Sequence, residues 1–227
     1  MGAMPSQSEE SSPRAEIRVG VTGHRAEGLS RAGYVSEVLS QSVREVLTQV
    51  KQIAEAAIAE PLLCVISPLA EGADRIVAEE ALALGYSLQS PLPFPRYEYE
   101  RDFATSVSKA AFDALLNRAS EVVELAGSRA AANQAYEAVG RWVLLHSDVL
   151  IAIWDGKPPA GQGGTGQIIA EALTKHITTI WIQPAHEITI LKNLRPIVVD
   201  TLHNIDRQLG EILKDKISRG SLRRRGA

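Results

Sequence analysis

Apolar residues along the chain form two kinds of pattern, short unbroken runs and longer segments with helical spacing. The runs "EIRVGVTG", "LLCVISP", "DVLIAIWDG" and "ITTIWIQP" are nearly continuous and contain many β-branched residues, which is typical of strands buried on both faces. From Val35 to Ala57, in contrast, apolar residues recur every three or four positions, and this spacing predicts a long amphipathic helix. The two patterns alternate along most of the chain.

The predicted strands span 16–23, 62–68, 86–94, 120–126, 148–156 and 177–184. The predicted helices span 35–57, 71–85, 97–119, 130–147 and 165–176, and a further segment with helical spacing spans 204–217. Gly85 stands at the end of the second predicted helix, where glycine is a common C-terminal stop.

Strands that alternate with helices, and that are apolar throughout, favour a mostly parallel sheet covered by helices on both faces. We therefore predict an α/β protein with a doubly wound sheet. One globular domain is expected over 16–184, after a polar segment, 1–15, that is expected to be disordered. Residues 185–217 are predicted to form a C-terminal extension with a helix, followed by a basic tail over 218–227.

Composition and charge argue against several classes of function and of localisation. Of the 227 residues, 45% are hydrophobic and 22% are charged, as in an ordinary globular protein. The formal net charge of −3 provides no general attraction to nucleic acid or to an anionic membrane. The single cysteine, Cys64, excludes an internal disulfide, and no run reaches the ~18 apolar residues of a membrane span. We expect a cytoplasmic protein without a transmembrane segment.

Three loops that follow predicted strands have compositions suited to ligand binding. They are "TGHR" at 22–25, "SPLAEGAD" at 67–74 and "WDGKPPAGQGGT" at 154–165. Ligands of doubly wound sheets bind beyond the carboxyl ends of the strands, so we expect these loops to converge there. Glycine amides, hydroxyls and the cations His24 and Arg25 suit a phosphate, while carboxylates suit ribose hydroxyls. The loops therefore predict a phosphorylated, sugar-bearing ligand.

The better-known phosphate, metal and nucleophile motifs are missing. The chain lacks GxxxxGK[ST] of the P-loop and the GxGxxG fingerprint after its first strand. It also lacks CxxC and HExxH metal patterns and the GxSxG elbow of esterases. We accordingly predict no metal site and no resident cofactor.

Each candidate residue also has a purely structural interpretation, which the sequence leaves open. In this interpretation Arg25 is a solvated cation in a loop, and His24 stabilises its own turn. Asp74 is a helix cap, and Glu71 is a solvated carboxylate. Asp155 is a common turn residue before a glycine.

Four blocks of sequence together resemble the SLOG superfamily, which is named for the Smf/DprA proteins and the LOG nucleotide-processing enzymes. They are "VGVTGHR", "VISPLAEGADRIVAEEALALGY", "LPFPRYEYERDF" and "DVLIAIWDGKPPAGQGGTGQIIAEA". The second block is similar to a DprA pattern, and the "GGT" loop is similar to the LOG phosphate loop. The resemblance extends over roughly residues 16–184 and implies a Rossmann-like fold with a nucleotide site built by these loops.

Carried over to this chain, the resemblance implies that the "GGT" residues hold phosphate and that the other two loops line the same site. The complete set of predicted ligand-binding residues is Thr22, Gly23, His24, Arg25, Ser67, Glu71, Asp155, Gly163, Gly164, Thr165 and Gln167.

The sequence departs from the LOG enzymes at the catalytic position. LOG enzymes cleave the N-glycosidic bond of nucleoside monophosphates with a glutamate of the motif PGGxGTxxE. This chain has Ile168 three positions after Thr165, where that glutamate would stand, and Gln167 beside it. An amide can bond a ribose hydroxyl, but it cannot stabilise a cationic transition state by charge or covalent attack. The candidate catalytic carboxylates from the other loops are Glu71 and Asp155.

Binding without turnover is therefore the leading hypothesis. The chain is predicted to be a sensor domain for an ADP-ribose-like, cyclic or mononucleotide ligand, in a bacterial anti-phage or stress-signalling system. The alternative is a LOG-like nucleoside 5′-monophosphate phosphoribohydrolase or another nucleotide hydrolase. DprA-like binding of single-stranded DNA is a third hypothesis, against which the acidic net charge counts. We further expect a homo-oligomer and an effector domain or effector protein as partner.

Overall fold

A parallel sheet forms the centre of the molecule. The computed structural model describes residues 14–157, 164–185, 187–192, 195–197, 210, 214 and 224–225. Within these residues the strands are β1 (Arg14–Gly23), β2 (Leu62–Ile66), β3 (Ser87–Leu92), β4 (Glu121–Glu124), β5 (Val149–Ile153), β6 (Thr178–Ile182), β7 (Ile188–Lys192), β8 (Arg195–Ile197) and β9 (Arg224–Arg225). Their order in the sheet is β4-β3-β2-β1-β5-β6-β7-β8, and the short β9 pairs with the beginning of β1.

Helices connect the strands from β1 to β6. They are α1 (Ala26–Ala32), α2 (Ser36–Ala57), α3 (Ala73–Ala83), α4 (Arg96–Tyr99), α5 (Ser106–Leu116), α6 (Ala132–His146) and α7 (Thr165–Thr174). Short 3-10 helices precede α5 at Glu100–Asp102 and α6 at Arg129–Ala131. No helix within the described ranges is both long and apolar enough to cross a lipid bilayer.

The helices cover both faces of the sheet, as the unbroken apolar runs predict. On one face, buried residues of β1 and β5 such as Val19 and Ile151 belong to a core cluster with residues of α2 and α3. On the other face, Cys64 and Leu150 join residues of α6 and α7. Strands β1 to β6 are paired in parallel, with Val19 opposite Val65 and Val149 in the two central pairs. The Rossmann-like, mostly parallel α/β fold is therefore confirmed.

The sheet extends past 184, where the last predicted strand ends. β7 pairs antiparallel with β6, and β8 pairs antiparallel with β7. Antiparallel strands at a sheet edge do not need the unbroken apolar runs of central parallel strands, so their sequence signal is weaker. The helix predicted over 97–119 is also interrupted. Its second half begins after Thr105, whose hydroxyl accepts a hydrogen bond from the Ser108 amide at 3.0 Å and caps α5.

Several predictions concern residues that the structure does not describe. The expected disorder over 1–15 falls largely on them. The helical segment at 204–217 and the basic tail at 218–227 also lie outside the described residues, apart from Gly210, Lys214, Arg224 and Arg225.

The strand order reverses direction between β1 and β5. From β1 the chain proceeds through β2, β3 and β4 toward one edge, and it then returns to place β5 on the other side of β1. The loops that leave these two strands turn to opposite sides of the sheet, which opens a crevice at their carboxyl ends. The fold therefore places "TGHR" and "WDGK" at the position where doubly wound sheets bind ligands.

Candidate functional site

A cavity of about 750 Å³ lies at the carboxyl ends of β1 and β5. It falls within the range of small-molecule sites, and residues from each of the three predicted loops line it. Of the predicted ligand-binding residues, those that line the cavity are Thr22, Gly23, His24, Arg25, Asp155, Gly164 and Thr165. Gly163 lies outside the described residues. The structure therefore brings seven of the eleven predicted residues to one cavity.

Ser67 and Glu71 are placed away from the cavity wall, and both hold the second loop in shape. The buried Ser67 hydroxyl donates to the Asp74 carbonyl at 2.9 Å and accepts from the Leu69 amide at 3.2 Å. Glu71 accepts a short hydrogen bond from the hydroxyl of Ser108 on α5. Glu71 is therefore partly buried and bonded to α5, and it is not the solvated carboxylate of the structural interpretation.

Gln167 also points elsewhere. Its amide nitrogen donates to Glu137 Oε1 on α6 at 2.9 Å, so its side chain joins α7 to α6. Ile168 instead lines the cavity, and it is almost completely buried. An apolar side chain thus occupies the wall position where the LOG resemblance would place a catalytic glutamate.

The first two loops touch through their glycines. The Ala73 amide donates to the His24 carbonyl at 3.1 Å. A Cβ atom added at Gly72 would lie 2.6 Å from the Ala26 nitrogen, and Gly72 has a φ of +99°. A Cβ added at Gly23 would lie 2.4 Å from the Cβ of Ala73. Packing alone therefore requires glycine at both positions, against backbone atoms at Gly72 and against the Ala73 side chain and the Ile153 carbonyl at Gly23.

His24 and Asp155 join the ends of β1 and β5. The backbone amide of Asp155 and its carboxylate Oδ1 each lie 3.1 Å from His24 Nε2. That nitrogen accepts from the amide when it is unprotonated and pairs with the carboxylate when it is protonated. The His24 amide donates to the Ile153 carbonyl at 3.0 Å. His24 is thus both a brace between strands and part of the cavity wall.

Asp155 is held in its ionised form. Burial raises the pKa of its carboxyl, but Lys157 and His24 outweigh this effect and lower the pKa to about 2. Lys157 contributes both its ammonium group, 2.9 Å from Oδ2, and its backbone amide, 3.2 Å from Oδ1. The carboxylate therefore carries its negative charge into the cavity beside a cation.

Arg25 reaches the cavity from the end of β1, and its guanidinium lies 5.2 Å from the ring centre of Tyr136. Its Nη2 donates to Asp102 Oδ2 at 3.2 Å. Asp102 also accepts from the Tyr136 hydroxyl at 2.6 Å and from Arg129. Burial raises the pKa of Asp102, yet these three bonds together hold it below its ordinary value. The sequence gives no local signal for this contact, because Arg25 and Asp102 are 77 positions apart.

Asp74 lines the cavity, although the predicted binding set does not include it. It lies in the first turn of α3, it is buried, and it accepts from the Ala70 amide at 3.3 Å. Burial raises the pKa of its carboxyl to about 7, against the lowering effects of that bond and of Arg25 and Arg75. The sequence indicates its position at a helix start, but its burial depends on the packing around the loop.

The N-terminus of α7 forms part of the cavity wall. Gly164 precedes the helix without a side-chain cap, and Gly164, Thr165 and Gly166 line the cavity. The first amides of a helix have no acceptor within the helix, and its dipole favours an anion at this end. Lys157 and Arg31 line the same cavity, so cations accompany the helix terminus. The described residues contain no cluster of histidine, cysteine or carboxylate side chains that could hold a metal ion.

Comparisons with known proteins give structural similarities only. No family model matches the chain, and no curated protein matches it. DprA from Streptococcus pneumoniae is 16% identical with a TM-score of 0.46, over 85% of this chain and 56% of its own length. The chain thus spans little more than half of that protein. TM1055 is 14% identical with a TM-score of 0.41, over 72% of each chain.

A third similar structure is DNA processing protein A from Helicobacter pylori, which binds single-stranded DNA. It is 13% identical with a TM-score of 0.42, over 92% of this chain and 75% of its own. At these identities and TM-scores the similarity carries no argument about function. The Rossmann-like α/β fold rests on the strand order and connections of this chain itself.

Proposed function

We propose that the cavity binds a nucleotide-derived ligand, with its phosphate held by Arg25 and the N-terminus of α7. The observation that carries the proposal is the meeting of these two anion-binding features in one cavity at the reversal of strand order. A guanidinium donates pairs of parallel hydrogen bonds to phosphate oxygens, and the amides and dipole of a helix N-terminus favour an anion. Arg31 and Lys157 add positive charge to the same walls.

The other groups of the cavity suit the nucleoside part of such a ligand. The carboxyls of Asp74 and Asp155 can accept hydrogen bonds from ribose hydroxyls. Tyr99, Tyr136 and Trp154 supply aromatic surface in the wall. Ile168 supplies an apolar contact where a catalytic glutamate would stand in a LOG enzyme, which favours binding over turnover.

A thermal-shift screen tests this function. The full chain is heated with nucleoside monophosphates, NAD, ADP-ribose, cyclic ADP-ribose and cyclic dinucleotides, and with a single-stranded oligodeoxynucleotide as a competing class. A ligand at ~100 times its Kd stabilises the fold by about 2.7 kcal/mol, which raises the Tm measurably. A shift from a nucleotide that chromatography then recovers intact supports a binding domain. No shift from any nucleotide contradicts the proposal.

Arg25→Ala is expected to weaken the binding of the responding nucleotide roughly tenfold to a hundredfold, because a charge-assisted pair with phosphate is lost. Gly164→Val is expected to block the helix start with a branched side chain, while its φ of −77° accepts valine without strain. Titration calorimetry measures both affinities. Arg44→Ala is the matched control, since it removes an exposed arginine paired with Glu80 on another surface. Unchanged affinity in both cavity variants would rule out this phosphate site.

A nucleotide hydrolase is the second candidate, and the observation that favours it is the contrast between the two carboxyls of the cavity. Asp74, with its pKa of about 7, is protonated in a substantial fraction of molecules in neutral solution, whereas Asp155 is ionised. Such a pair is suited to acid catalysis and to charge stabilisation respectively. Asp74 would donate its proton to the departing base as the C1′–N bond breaks. Water would then add to C1′ and return a proton to Asp74, while Asp155 stabilises the cationic sugar.

Release of free base from AMP, measured by chromatography, tests the hydrolase. If the chain is an enzyme of this kind, Asp74→Asn and Asp155→Asn are each expected to reduce release at least roughly a hundredfold. Asp113→Asn is the control, because Asp113 pairs with Arg96 away from the cavity. Intact AMP after prolonged incubation with the wild-type chain would exclude this activity on AMP.

A further inference from the structure

We propose that Asp102 is a positioning residue that holds Arg25 in the cavity wall for a ligand phosphate. The inference rests on the proposed function, because it assigns a task within the same site. It also gives a role to "LPFPRYEYERDF", a block of the sequence resemblance that contributes no residue to the predicted binding set. Asp102 ends the 3-10 helix that follows α4 within this block.

Asp102 receives donors from separate parts of the fold. Arg25 follows β1, Arg129 lies in the 3-10 helix before α6, and Tyr136 lies on α6 itself. The carboxylate is only 5% exposed, so water competes little for these bonds. Because donors from three different elements converge on one carboxylate, its orientation and theirs are mutually constrained. The position of the Arg25 guanidinium is therefore set before any ligand arrives.

Arg25 retains the capacity to bind an anion in this position. Its side chain is 46% exposed, in contrast to that of Asp102, and it lines the cavity. The contact to Asp102 is made through Nη2, and a guanidinium carries five N–H donors in a planar fork. The ring of Tyr136 lies against the guanidinium and restricts its rotation. The Arg25 guanidinium thus keeps N–H donors for a phosphate, while Asp102 and Tyr136 fix its orientation.

Asp102 divides its single negative charge between two arginines, because it pairs with both Arg25 and Arg129. Arg25 therefore still attracts an anion such as a ligand phosphate on its cavity side.

An opposite role for Asp102 makes the inference testable. If the carboxylate only competed with the ligand for Arg25, removing its charge would strengthen binding. If it positions Arg25, the same change weakens binding, because an asparagine amide presents donors to the guanidinium on one side and accepts fewer bonds on the other. The sign of the change therefore distinguishes the two roles.

The test uses ADP-ribose as the probe, titrated into the full chain and followed by NMR so that weak complexes are measured. Asp102→Asn is expected to weaken binding roughly tenfold. In an Arg25→Ala background the same substitution is expected to change the affinity no further, whereas a general structural defect would act in both backgrounds. Asp113→Asn, which breaks the Arg96 pair, is expected to leave the affinity unchanged.

Equal or tighter binding by Asp102→Asn would overturn the inference and leave the proposed function standing. An equal loss in both backgrounds would also overturn it, because the effect would then not pass through Arg25. Absence of ADP-ribose binding by the wild-type chain would overturn the inference for this ligand, whereas the proposed function is contradicted only if no nucleotide of the thermal-shift screen binds.

Discussion

Gly72→Ala is expected to lower the free energy of unfolding by roughly 2–5 kcal/mol and to disrupt the cavity. Gly72 has φ and ψ of +99° and −125°, a conformation that residues with a Cβ atom avoid. The added Cβ would also lie 2.7 Å from the carbonyl carbon of Arg25 and from the His24 oxygen. These are backbone atoms, so no side chain can rotate away. Relief requires that the loop after β2 separate from the loop after β1, which carries His24 and Arg25.

Gly33→Ala is the matched control for this prediction. Gly33 has φ and ψ of +86° and 18°, in the left-handed helical region, and no atom of the described residues lies within 4 Å of an added Cβ. Its substitution therefore carries only the left-handed backbone strain, a cost of about 1 kcal/mol. Denaturant unfolding measures both variants, and ligand titration reports whether the cavity persists. Equal losses for the two variants would show that loop contact at Gly72 contributes nothing beyond its φ.

Asp74→Asn is expected to stabilise the fold in a manner that grows with pH. The pKa of Asp74 is about 7 in the folded chain, against an ordinary value of 3.8. The folded state therefore keeps a proton that the unfolded state has released, and stability from this group is lost as pH rises from about 4 to about 7. Asparagine does not titrate, and its carbonyl still accepts the Ala70 bond. The variant should gain up to about 4 kcal/mol over wild type above pH 8, and almost nothing at pH 4.

Thermal unfolding between pH 4 and pH 9 checks this dependence. Groups that titrate equally in both proteins cancel in the difference between wild type and Asp74→Asn. Asp155→Asn supplies a comparison of opposite sign, because the pKa of Asp155 is lowered to about 2. The stability that the ionised Asp155 carboxylate contributes is present above pH 4 and is lost only as pH falls toward 2. Asp155→Asn should therefore destabilise the fold at neutral pH. A difference between wild type and Asp74→Asn that does not vary with pH would contradict the assigned pKa.

The pattern of apolar residues along the sequence was sufficient to predict the fold. Each central parallel strand is shielded from water on both faces, so its residues must be apolar throughout, and the runs at β1, β2, β5 and β6 are visible without any partner. Apolar residues recur at helical spacing along α2 for a similar reason, because one face of this helix is buried. Parallel strands also fix which loops share an edge. The convergence of 22–25 with 154–157 and 164–165 at one cavity therefore follows from the pattern.

The direction of each side chain in those loops was decided only by the tertiary structure. Ser67, Glu71 and Gln167 have suitable chemistry and lie in or beside the predicted loops, yet they bond to neighbouring backbone, to α5 and to α6. Leu69 and Gly72 have positive φ angles that turn the second loop, and no local residue pattern predicts them. Such directions depend on packing between elements distant in sequence.

The hydrogen-bond partners and the protonation of the cavity residues were also decided only by the tertiary structure. The sequence identifies Arg25 as a cation that follows a strand. Asp102 and Tyr136 approach it only because the tertiary structure brings the 3-10 helix after α4, and α6, to the end of β1. Asp74 is recognisable as a residue at a helix start, but the pKa of its carboxyl depends on how much protein excludes water from it. The sequence by itself thus determined the sheet, its covering helices and the edge where a ligand would bind. Burial and contacts across the chain, which are properties of the packed molecule, decided which side chains face that ligand and with what charge.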